Sequence, residues 1–180
     1  MVHGNHEGFS HLASLTTETI PDRPVAPSEL PAVDAGSHLR LLPSGWRVAL
    51  SSGITIAGIG GVEEGQRAAA YPRMAYLDDD AVSRVIDSAD GVDILISHQG
   101  PAMTQGAGGS TVLDLILSEE PDLVWFHGHT VNDPAIAEFG PTKVVPLGDI
   151  AFAGKDGADA LPGADGWARA ELTSQGTVVS

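Results

Sequence analysis

Five of the seven histidines in this 180-residue chain stand in polar or glycine-containing stretches at the inferred ends of apolar runs. They are His3 and His6, then His98, then His127 and His129. Imidazole does two kinds of chemistry near neutral pH: it ligates metals through a ring nitrogen, and it carries protons. Beside His6 stand Asn5 and Glu7, an amide and a carboxylate. One histidine at a strand end is ordinarily a hydrogen-bonded structural residue. Three such clusters, each beside a glycine, point instead to a common metal site. The chain has no Cys, which excludes a zinc finger, an iron–sulfur site, a disulfide framework and a thiol nucleophile.

Loops distant in sequence meet when they leave the C-terminal ends of neighbouring strands in an α/β sheet. The pattern supplies such strands. Residues 92–97 form a dense apolar run ending at His98, and residues 123–126 form another ending at His127-Gly128-His129. Between them lie a glycine-rich loop, 100–109, and a helix capped by Ser110 and running to Leu117, with Asp114 on its exposed side. Trp125 lies inside an apolar strand and reads as core. Upstream, residues 39–42, 46–50 and 54–59 read as short strands of an antiparallel meander or hairpin, broken by Pro43-Ser44-Gly45 and Ser51-Ser52-Gly53. Asp78, Asp79 and Asp80 open a helix whose apolar positions are Ala81, Val82, Val85, Ile86 and Ala89. Three consecutive carboxylates on one turn point in different directions, so they read as a helix start rather than a metal cluster. Residues 9–19 read as a short helix. Prolines 21, 24, 27 and 31 then forbid a helix and predict an extended surface insertion. Further strands are expected at 142–145, 168–172 and 177–179, with a polar loop at 154–166.

Length and a 42% apolar content fit one domain, or a large part of one, with a real core. Aspartate and glutamate total 24 against 9 lysines and arginines, giving a net charge of −15. Such a polyanion is repelled by bulk nucleic acid and anionic lipid, although a bound metal could still recruit a phosphate. No run approaches the roughly 18 apolar residues of a membrane span. The polar N-terminus has no apolar signal core. The default expectation for location is the cytoplasm, although a segment preceding residue 1 would carry any export signal. Acid excess with only Lys143 and Lys155 fits a halophilic protein, and fits equally an acidic proteome from a GC-rich genome.

Gly4-Asn5-His6-Glu7, then Ile96-Ser97-His98, then Gly128-His129 resemble the second half of the calcineurin-like metallophosphoesterase signature. That signature runs D-x-H, G-D-x-x-D, G-N-H-D/E, a single His, then G-H-x-H, and the likeness covers residues 2–175. It implies an α/β two-sheet sandwich flanked by helices. It also implies hydrolysis of phosphomonoesters or phosphodiesters by a metal-activated water. Asn5, His98 and His129 would hold one divalent metal, with mixed nitrogen and oxygen donors suiting Mn, Fe or Zn. His6 would contact phosphate or protonate the leaving alkoxide, and Glu7 would orient His6. The substrate would be a small-molecule or nucleotide phosphoester, with Gln99-Gly100-Pro101 on the substrate side.

The departures are specific. No D-x-H occurs in the chain, and Val131 stands where the last motif has its second His. His127 reads as a structural or supporting residue, and Asp149 in the Gly148-Asp149 pair reads as structural. Against the family pattern, residues 1–180 would be a single, incomplete domain lacking its first strands. The complete family's dinuclear site would be reduced to one weak site. The strand 92–97 would then lie at a poorly covered sheet edge. The alternative is a truncated or degenerate relative that binds partners without turnover.

Overall fold

Short β-branched runs and tight turns build the sheet in the computed structural model. It describes residues 1–4, 8–15, 19–65, 72–119, 121–129, 135–147, 170–173 and 176–179. Strands β1 (Arg47–Ala49) and β2 (Thr55–Ile59) form an antiparallel hairpin. Its turn is closed by Leu50 N–H on the Ile54 carbonyl (2.8 Å) and Gly53 N–H on the Leu50 carbonyl (3.0 Å). Gly53 adopts φ +91°, a left-handed conformation that a side chain would strain. The chain then alternates helix and strand: α2 (Asp79–Asp87), β3 (Ile94–Ser97), α3 (Ala102–Gln105), α4 (Asp114–Ser118) and β4 (Val124–His127). Helix α1 (Phe9–Leu15) precedes them. Strands β5 (Ala137–Phe139) and β6 (Thr142–Pro146) complete a six-stranded sheet of order β1-β2-β3-β4-β6-β5. Strands β2, β3, β4 and β6 are mutually parallel, and the two edge strands are antiparallel. A separate antiparallel pair, β7 (Ala170–Thr173) and β8 (Gly176–Val179), follows.

Register explains the core. Ala57, Leu95, Trp125 and Val144 are cross-strand neighbours, so they share one sheet face. All four are fully buried, and they cluster with Val82 and Val85 of α2 and Ile116 and Leu117 of α4. Trp125 also satisfies its indole N–H, which donates to Ser97 Oγ at 2.7 Å. A second cluster, Val25, Leu30, Leu42, Trp46 and Val48, packs with Val2, Ile20 and Ile56. Helix α2 begins as expected: the Asp78 side chain accepts the Asp80 N–H, and Asp79 and Asp80 fill the first turn.

Four expectations need correction. The proline stretch is not wholly an extended surface segment: Pro27–Glu29 form a 3-10 turn, and Val25 and Leu30 are buried in the second cluster. The strand from the 92–97 run is not at an edge: β3 is paired along its length with β2 on one side and β4 on the other. Residues 39–42 do not form a strand. Leu41 N–H bonds the Pro31 carbonyl and Leu42 N–H the Met1 carbonyl, so their hydrogen bonds go to two different segments rather than to a ladder. Strand β5 was not expected, because three residues with an exposed glutamate at the centre carry too little apolar signal. What holds of the fold class is a mixed α/β domain with helices flanking one six-stranded sheet. Among the described residues, no helix is long and apolar enough to cross a membrane.

Candidate metal centre

The four parallel strands end level. Ile59, Ser97, His127 and Pro146 are successive neighbours across the sheet, so the segments that follow leave from one rim. His98 is the first residue past β3. Its backbone is fixed on both sides: its N–H donates to the Ile59 carbonyl (3.1 Å), and its carbonyl accepts from Gly128 N–H (3.0 Å). His129 is the second residue past β4 and takes φ +61°. Among the described residues it shares a left-handed backbone with only one other non-glycine, Ser37. Such a backbone is uncommon outside glycine, though histidine tolerates it better than most. Here it accompanies the meeting of two rings. His98 and His129 have centroids 4.8 Å apart and planes tilted by 54°.

Two half-buried imidazoles at that separation fit a shared cation, since metal–nitrogen bonds are about 2.0–2.1 Å. Among the described residues, no group of three or more His, Asp or Glu side chains gathers as a metal cage. Asn5, His6 and Glu7 lie outside the described residues, as do Val131 and Asp149. The chain just before them is placed, however. Gly61 N–H, beyond the end of β2, donates to the His3 carbonyl at 3.2 Å, so residue 3 lies beside the same rim.

His127 belongs to a different environment. It is 1% exposed, and its ring lies against Gly100, where an added Cβ would stand 2.4 Å from the ring Cε1. Nδ1 sits 3.2 Å from the Gly128 carbonyl, which can only accept, so Nδ1 carries the proton. Nε2 is then a bare lone pair, buried with no hydrogen-bond partner among the described residues. Burial lowers the His127 pKa below the ordinary histidine value, partly offset by the Gly128 carbonyl, and the ring is held neutral. His3 is seated similarly: it is buried on Gly60, with Nε2 2.9 Å from the Met74 carbonyl.

The 99–101 segment differs from its expected place on the substrate side. Gln99, Gly100 and Pro101 are all buried. The Gln99 amide is committed, with Oε1 accepting Glu63 N–H (2.7 Å) and Nε2 donating to the Gly108 carbonyl (3.1 Å). Glu63 in turn accepts from Thr111 N–H (2.7 Å) and Thr111 Oγ1 (2.9 Å). Partial burial alone would raise the Glu63 pKa. The hydrogen bonds from Ser110, Thr111 and Val112 outweigh it and hold the carboxyl below its ordinary range. Reading the sequence missed this group, because Glu63 meets Thr111 across 48 positions and no local pattern marks the pairing.

No family model matches the chain, and no curated protein matches it. Among solved structures it is similar to TT1561 of Thermus thermophilus, at 17% identity and a TM-score of 0.42. That match spans 61% of this chain and 50% of the other, and is too distant to bear on fold or chemistry.

Proposed function

We propose that this chain is a metal-dependent phosphoesterase, acting on small-molecule or nucleotide phosphoesters in the cytoplasm. The observation that supports it best is the meeting of His98 and His129, from separate loops, at the common rim of β3 and β4. In this reading both rings and the Asn5 amide oxygen hold one divalent ion, Mn, Fe or Zn, and the sheet is one layer of a two-sheet sandwich. Bound there, the ion supplies Lewis-acid charge to a phosphoryl group and makes nearby water more acidic. His6 donates a proton to the departing alkoxide, and Glu7 fixes the His6 ring. The left-handed backbone at His129 belongs to this account, as strain of that kind collects at sites that must aim a side chain.

The test is turnover of bis-(p-nitrophenyl) phosphate by the purified chain with Mn²⁺. We expect hydrolysis that falls at least 100-fold in His98→Ala and in His129→Ala. Metal binding without turnover would favour the non-catalytic relative, and no metal binding at all would overturn the reading.

A further inference from the structure

Loop 100–110 closes on itself. Ser110 N–H donates to the Gly100 carbonyl (2.9 Å), Ala102 N–H donates to the Ser110 carbonyl (3.0 Å), and Pro101 bridges to Ser110. Gly109 permits the closure, since a Cβ there would stand 2.5 Å from the Pro101 carbonyl oxygen. A loop with joined ends is a rigid unit that must be oriented from outside. Gln99 and Glu63 supply that orientation. The buried Gln99 amide reaches across the loop to Gly108 and also receives the Glu63 backbone N–H. The Glu63 carboxylate closes the other end by accepting both Thr111 donors. Beneath, Ser97 Oγ donates to the Gln99 carbonyl at 2.6 Å and accepts from Trp125. Residue 99 is therefore fixed through its backbone carbonyl and both ends of its amide.

His98 is the residue immediately before it. Its side chain is engaged with His129, whereas that of Gln99 is engaged with Glu63 and Gly108. Fixing residue 99 narrows the backbone freedom of residue 98. We propose that Gln99 and Glu63 are positioning residues. They clamp the 100–110 loop to the segment after β2 and thereby hold the His98 ring against His129. The proposal rests on the metal-site reading for its consequence, but its geometric content concerns the two rings alone.

The experiment uses the full chain in two measurements. The first is NMR contact between His98 and His129 ring protons without metal. It is expected to be present in the wild type, lost in Gln99→Leu and Glu63→Ala, and partly restored in Glu63→Gln, which keeps an acceptor for Thr111. Circular dichroism and the unfolding midpoint establish that each variant folds. Thr111→Val, which removes only the hydroxyl bond, is the milder variant should Gln99→Leu fail to fold. The second is Co²⁺ titration, with affinity expected to weaken about tenfold in Gln99→Leu and Glu63→Ala. Binding that is lost in His98→Ala but unchanged in both clamp variants overturns the clamp and leaves the metal site standing. No Co²⁺ binding by the wild type overturns the metal site, and the ring contact then decides the clamp: retained in Gln99→Leu, the clamp is wrong.

Discussion

Four histidines at one end of the sheet divide into two environments. His3 and His127 are buried, each laid on a glycine that leaves no room for a β-carbon. His98 and His129 are half-buried at the rim and face each other. The contrast between His127 and His129 is the sharper, because only Gly128 separates them. One ends a strand, where the ladder fixes its backbone and burial holds its ring neutral. The other lies past the strand in a left-handed conformation. Residue type alone therefore says little about a histidine's role here. The surroundings decide: Gly100 receives the His127 ring, whereas the left-handed backbone of His129 itself accompanies the approach of its ring to His98.

The largest effect expected from this division is at Gly100. Alanine there places a methyl group 2.4 Å from the His127 ring, and neither partner is free to retreat. Gly100 is tied to Ser110 and His127 is held in β4 between β3 and β6. We expect Gly100→Ala to cost about 3 kcal/mol in urea unfolding. Gly60→Ala faces an equally close ring, that of His3, but His3 lies in the terminal segment outside the named strands. It should cost less, about 1 kcal/mol. The double variant Gly100→Ala with His127→Ala should be more stable than His127→Ala with Gly100 retained, because the new methyl fills space the ring vacates. A loss at Gly100 no greater than that at Gly60 would break the comparison.

The sheet was largely legible in the sequence, since β2, β3 and β4 are apolar-rich runs bounded by glycine, proline or serine, and β6 carries the β-branched pair Val144-Val145. The level ending of those strands was legible only as a rule about α/β sheets, yet that rule brought His98 and His129 to one rim. Two kinds of information were not legible. One is edge structure: β5 is short, with an exposed glutamate, while the apolar 39–42 run lies outside the ladder because its N–H groups bond residues 1 and 31. The other is polar contact over long separations. Gln99 reads as a loop residue free to meet substrate, but it is sequestered by partners 36 and 9 positions away. Nothing in its immediate neighbours encodes that.

A smaller effect sharpens the rim side. If His129 is left-handed for the sake of its ring, then replacing it separates a backbone cost from a side-chain benefit. Both His129→Ala and His129→Gly remove the ring and should lose metal binding alike. Alanine keeps the unfavourable left-handed backbone, whereas glycine adopts it freely. The glycine variant should therefore be the more stable of the two by about 1 kcal/mol, the scale of the left-handed penalty. Alanine equal to glycine would mean that the residue relaxes out of φ +61° once the ring is gone.

The smallest effect concerns acid. Glu63 is partly exposed, so its bonds to Thr111 should contribute under about 1 kcal/mol at neutral pH. Their signature is the pH dependence rather than the size. Hydrogen bonding holds the folded-state pKa of Glu63 below its ordinary value of 4.5. At pH values above 4.5 the carboxylate is ionised in both states and its contribution is fully present. As pH falls below 4.5 the unfolded chain takes up the proton first, and the contribution is lost as pH passes through the lower folded-state pKa. The difference in unfolding free energy between wild type and Glu63→Gln should thus be constant from pH 7 to about 5 and shrink toward pH 3. Taking the difference cancels the other carboxylates, which titrate in both proteins. A difference that stays constant through pH 3 would show that Thr111 is not holding an ionised Glu63, and the outer half of the clamp would have no electrostatic basis.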